Sequence, residues 1–86
     1  MNVDSSDGLF CRLTLDYAEV VALHEVIARA EWADDLKVIE LNGDAEQLVL
    51  SRLQLALAPL VRELGTTDYG AAVQSAWRQI IDASPQ

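Results

Sequence analysis

One cysteine, Cys11, and one histidine, His24, are all that this chain of 86 residues offers of the softer metal ligands. A zinc or transition-metal site needs three or four converging Cys, His or carboxylate ligands. No metal site and no other cofactor is therefore expected, and a lone cysteine excludes an intrachain disulfide. The four glycines, Gly8, Gly43, Gly65 and Gly70, are dispersed along the chain, so no loop can cradle a phosphate. Basic residues are equally scarce: six Lys and Arg stand against fourteen Asp and Glu, a formal charge of −8. Such a field repels phosphate backbones and anionic lipid surfaces, which argues against nucleic acid and membranes as partners. No apolar run approaches the ~20 residues that span a bilayer. The segment from Met1 to Gly8 is polar and acidic, the reverse of a secretory signal. A cytoplasmic protein is expected. The single lysine, Lys37, beside five arginines, with abundant alanine and leucine, is the composition of a bacterial chain.

What the chain does have is apolar residues, 51% of the total, enough for one core without a metal or a disulfide. Residues 1–8 lack a periodic apolar signal and read as a flexible tail, leaving 9–84 as a single domain. From Leu9 the apolar residues alternate: Leu9, Cys11, Leu13 and Leu15 fall on one side, Phe10, Arg12 and Thr14 on the other, the period of a half-buried strand. Asp16 and Glu19 then stand at capping-box spacing, and a 3.6-residue pattern predicts a helix over 17–32. Its main stripe is Val20, Leu23, Val26, Ile27 and Ala30, with His24 on the flank.

Residues 36–41, LKVIEL, read as a short second strand. Asn42, Gly43 and Asp44 form a turn, and Asp44 with Gln47 repeats the capping spacing. The second helix is then expected to reach Leu64, with Leu50, Leu53, Leu57, Leu60 and Leu64 stepping along one face. Pro59 inside it predicts a kink near 55–59, and Gly65 predicts a left-handed stop. A third helix comes next, capped by Thr66 or Thr67, antiparallel to the second and carrying Tyr69, Val73, Ala76, Trp77, Ile80 and Ile81 on its core face. The fold class is mainly α (α+β): three helices with one or two short strands in the N-terminal half, order β-α-(β)-α-α. A plain three-helix bundle is the alternative.

Candidate chemistry is sparse. A dyad of Cys11 and His24 would need a thiolate beside a base, but Cys11 points with Leu9, Leu13 and Leu15 and reads as a small buried hydrophobe. His24 reads as a packed side chain. Asp34 and Asp35 read as solvated charges at a helix end. No catalytic residue is assigned, and an enzyme is not expected unless a site is assembled across an oligomer interface.

The informative anomaly lies on the second helix, where Leu48, Leu55 and Pro59 occupy the face opposite the leucine stripe. A surface helix should be polar there. Arg52 and Arg62 border that face as a polar rim does, and Trp32, off the stripe of the first helix, is a residue type enriched among interface anchors. The partner-binding candidates are therefore Trp32, Leu48, Arg52, Leu55, Pro59 and Arg62. The expected function is a small non-catalytic protein-interaction module that associates with itself, most simply as a homodimer. The alternative is an acidic inhibitor, antitoxin or immunity-type protein that masks a basic site on a foreign protein.

Overall fold

The computed structural model describes residues 1–5, 8, 10–34 and 43–84, with the side chains of 5 and 31–34 left aside. Its elements run β1 (Asn2–Ser5), β2 (Cys11–Thr14), α1 (Tyr17–Asp34), α2 (Asp44–Leu57), a single 3₁₀ turn (Ala58–Leu60) and α3 (Tyr69–Ala83). The architecture is mainly helical, with a small antiparallel sheet, and the expected LKVIEL strand lies outside the described residues.

The reading of residues 1–8 as unstructured is corrected over Asn2–Ser5. That strand pairs antiparallel with β2, Asn2 opposite Thr14 and Val3 opposite Leu13. The missed signal is weak because neither face of β1 is buried against the helices, so no alternation marks it. The same geometry corrects β2: it is a strand, but Cys11, Arg12, Leu13 and Thr14 are all exposed. Cys11 is accordingly an exposed thiol, not a buried hydrophobe.

The entry to α1 obeys its sequence closely. The Glu19 amide donates to Asp16 Oδ1 at 2.8 Å, and the Asp16 amide donates to Glu19 Oε1 at 3.1 Å. This reciprocal pair satisfies donors that a helix start leaves without partners. The terminal ammonium of Met1 lies 2.9 Å from the same carboxylate.

α1 is the centre of the molecule, packing against both α3 and α2. Ala18, Val20, Val21, His24, Ile27 and Ala30 are buried along it. That arc is wider than one stripe and its centre is rotated by roughly 75° from the predicted face, so that His24 moves from the flank to the middle and Val26 is exposed. A helix with two partners buries two faces, and a single-stripe projection finds only the average of one. Ala18, Val20, Val21, Leu57, Val61, Val73 and Ala76 form the core cluster, flanked by Leu15, Tyr17, Leu23, Leu53, Tyr69 and Ile80.

The second helix stops earlier than expected. α2 ends at Leu57, Pro59 sits inside the 3₁₀ turn, and Val61 is extended. Pro59 cannot donate to the carbonyl one turn back and its ring crowds that carbonyl, and here the chain resolves the conflict by ending the helix rather than bending it. At the N-terminus the cap position belongs to Gly43, with no side-chain bond, which displaces Asp44 into the first turn. Gly65 does take a positive φ of 82°, but within the turn between the 3₁₀ segment and α3. Asp68, not Thr66 or Thr67, holds the cap position of α3, while Thr66 Oγ1 accepts from the Asp68 amide at 3.2 Å and donates to the Glu63 carbonyl at 2.7 Å.

The expected α2–α3 pairing is also corrected: among the described residues each of these helices packs on α1, and they make little contact with each other. The buried stripe of α3 is Tyr69, Val73, Ala76 and Ile80, spaced i, i+4, i+7 and i+11. Trp77 and Ile81 turn off that stripe and are 38% and 62% exposed, so Trp77 is not a core residue.

Candidate functional site

Of the six candidate interface residues, four share one surface. Leu48, Arg52 and Leu55 stand at i, i+4 and i+7 on α2, and Pro59 continues the row into the 3₁₀ turn. All four are exposed, with Leu48 at 54% and Leu55 at 68%. Leu57 faces the other way at 4%. Val49 and Ala56 widen the outer surface along the same flank, both exposed, and Ala45, Glu46, Val49 and Leu50 line a shallow depression near the start of the helix. Helix α2 is thus apolar on two opposite sides, one against α1 and one open.

The other two candidates are Trp32 and Arg62. Trp32 belongs to the last turn of α1, and its side chain lies outside the described part. Arg62 is exposed and lies over Tyr17 at the start of α1. Its guanidinium carbon sits 4.3 Å from the Tyr17 ring centroid, a cation–π geometry, and its backbone N–H donates to the Tyr17 hydroxyl at 2.8 Å. That hydroxyl donates in turn to Glu63, whose carboxylate oxygens lie 2.8 and 3.0 Å away. Tyr17 therefore ties the chain just beyond the 3₁₀ turn to the start of α1. Arg62 is thus engaged with a residue 45 positions earlier in the chain, a contact that local periodicity does not record.

A second apolar hollow adjoins the open side of α2. It holds about 510 Å³ and is lined by Leu13 and Leu15 from β2 and its exit, and by Leu53, Ala56, Leu57 and Leu60. Leu13 and Leu60 at its rim are 46% and 56% exposed. The alternation of β2 gives Leu13 a side, but its place beside α2 depends on how the hairpin lies, which local periodicity does not record.

The one buried polar side chain among the described residues is His24, 2% exposed. Its Nδ1 lies 3.1 Å from the Tyr69 hydroxyl and its Nε2 lies 3.3 Å from Gln54 Nε2. The Tyr69 hydroxyl donates to Glu25 Oε2 at 2.7 Å. The His24 and Tyr69 rings meet edge to face, 6.1 Å between centroids. Three helices thus converge on one imidazole, beside an open cleft bordered also by Arg29, Ala28 and Leu64. Burial, and then the bond to Glu25, push the Tyr69 phenol above its ordinary range, so it remains a proton donor. Cys11 is on the exposed hairpin and does not approach this ring within hydrogen-bonding distance, so the two are not a dyad.

Among the described residues no three His, Cys, Asp or Glu side chains gather as a metal site would require, and no helix is long and apolar enough to cross a membrane. No family model matches the chain, and no curated protein or solved structure matches it either.

Proposed function

We propose that this chain is a small non-catalytic interaction module whose docking surface is the outer side of α2, and that its first partner is a second copy of itself. The observation that carries this reading is the pair Leu48 and Leu55, held out to solvent on the side of α2 directly opposite buried Leu57. Apolar exposure of this kind, contiguous and bordered by a charged side chain such as Arg52, is the composition of an interface centre and its rim. The spacing is also self-complementary. When two copies of α2 pair antiparallel about a twofold axis near residues 51 and 52, Leu48 of each faces Leu55 of the other, as an isologous interface requires. A domain this small gains by such pairing, because alone it removes only about 60–65% of its unfolded surface from water. A cytoplasmic setting, where an exposed thiol such as Cys11 stays reduced, belongs to the same proposal.

The net charge of −8 favours one other reading, an inhibitor or antitoxin that covers a basic protein; that complex would weaken as salt rises. The deciding measurement is solution mass by light scattering across a concentration series, wild type beside Leu55→Glu. A wild-type dimer and a folded monomeric variant support self-association through α2. Two monomers at every concentration refute it. An unfolded variant also counts against the reading, because Leu55 would then be part of the core.

A further inference from the structure

The hydrogen bonds around His24 have a direction that their chemistry fixes. An ionised Glu25 carboxylate can only accept. The single phenolic proton of Tyr69 is therefore committed to Glu25 Oε2, 2.7 Å away. The Tyr69 oxygen, 3.1 Å from His24 Nδ1, must then receive a proton from that nitrogen. A neutral ring protonated at Nδ1 keeps its lone pair on Nε2, where the Gln54 amide donates across 3.3 Å. Donation runs one way, from Gln54 on α2 to His24 on α1, to Tyr69 on α3, to Glu25 on α1.

We propose that His24 is a proton-operated latch for α2: neutral, it holds Gln54 and so seats the helix; protonated at Nε2, it releases that helix while keeping α3. The proposal rests on the reading of α2 as the docking element and gives that element a control. A proton on Nε2 replaces the acceptor with a donor, so the Gln54 amide meets donor against donor. Rotation of the amide would present its oxygen instead. It would nevertheless leave a charged ring almost wholly out of water, and burial of a charge without an ion-pair partner costs more than one hydrogen bond returns. The ionisable groups facing the ring do not supply that partner. Glu25 meets it through the phenol, Tyr69 is neutral, and Arg29 on the cleft wall is itself a cation. From α2 the ring meets Gln54, which does not titrate. Hydration through the adjoining cleft is the remaining way to accommodate the charge, and α2 is the wall whose bond has been lost. On the other side, Nδ1–H continues to donate to Tyr69, so the α1–α3 contact persists.

With one histidine in the chain, nitrogen NMR of the full protein reads this ring without ambiguity. At neutral pH the ring should be protonated at Nδ1, the less common form of free imidazole. As the pH falls, exchange of the backbone amides of Leu53 to Leu57 should accelerate about tenfold or more, in step with protonation of the ring. The amides of Val73 to Ala76 should not respond. His24→Gln should abolish the step. If that variant does not fold, Gln54→Met should raise exchange in α2 already at neutral pH and remove the pH response. An Nε2–H ring at neutral pH would overturn the proposal, as would a ring that titrates without change in α2, or α2 and α3 loosening together. A chain that stays monomeric yet shows the step in α2 refutes self-association and leaves the latch standing.

Discussion

Leu55 and Leu57 are two residues apart on one helix, and truncating each to alanine gives opposite expectations. Leu57 is 4% exposed and belongs to the core cluster with Val20, Val21, Val61, Val73 and Ala76. Leu57→Ala removes buried carbon atoms and leaves a cavity that such surroundings fill only in part, a loss of about 2–4 kcal/mol. The whole domain is stabilised by roughly 4–8 kcal/mol at this length, so about half of its stability depends on that one side chain. Leu55 is 68% exposed, and its truncation in the isolated chain should change stability by no more than about 0.5 kcal/mol. The better helix propensity of alanine offsets part of even that. Urea denaturation monitored by circular dichroism, at a protein concentration low enough to keep the chain monomeric, separates the two. With a slope of about 1 kcal/mol/M for so small a domain, the Leu57→Ala midpoint should fall by about 2–4 M and the Leu55→Ala midpoint should barely move. Repeated at high concentration, the wild-type midpoint should rise by mass action, and Leu55→Ala should lose that rise. Equal losses for the two variants in dilute solution would mean that both sides of α2 are covered within one chain, and the docking surface would not exist.

Tyr17→Phe deletes a hydroxyl that accepts from the Arg62 amide and donates to Glu63, and should cost about 1–2 kcal/mol in the same denaturation assay. A loss near zero would show that the segment after the 3₁₀ turn is held by other contacts. Glu19 gives a pH dependence: its bond to the terminal ammonium, and then to the Asp16 amide, holds the carboxyl below its ordinary value of 4.5. The unfolded chain then binds the proton more readily, so this contribution is fully present above the ordinary value and disappears as pH falls through the lower folded one. Glu19→Gln should flatten the acid limb of a stability-versus-pH curve; an unchanged limb would contradict the assignment.

Features set within one turn of chain are legible in the sequence, whereas tertiary placement is not. Asp16 and Glu19 announce the start of α1 because a capping box is complete within four residues. Pro59 announces a disruption, and Gly65 a positive φ, for equally local reasons. Whether a proline bends a helix or ends it depends on how the residues beyond it are held, and here the anchoring of Arg62 and Glu63 to Tyr17, 45 and 46 residues earlier in the chain, goes with an end. Periodicity misplaces His24 because α1 has partners on two sides. Hydrophobicity puts Trp77 in the core, yet the short residue Ala76, 2% exposed, occupies the contact with α1. Among the interface candidates, periodicity alone places Leu48, Arg52, Leu55 and Pro59 in one row, whereas the contact of Arg62 with Tyr17 is remote in sequence and leaves no local signal.

Small size alone would account for some apolar exposure, since a chain of 86 residues has more surface than polar atoms can cover. The comparison between α2 and α3 shows why that explanation is insufficient. Both helices pack on α1 and neither is sandwiched by the other, so each keeps an outer side under the same constraint. On α3 the positions farthest from the buried stripe are Ala71, Ser75, Arg78 and Asp82, all exposed: small, polar or charged, as solvation demands. On α2 the equivalent positions are Leu48, Arg52 and Leu55, with the leucines more than half exposed. Trp77 and Ile81 are exposed on the flank of α3, but directly opposite the buried stripe α3 is polar or small and α2 is apolar. That difference between two helices packed on the same partner is what supports the proposal that α2 meets a second molecule.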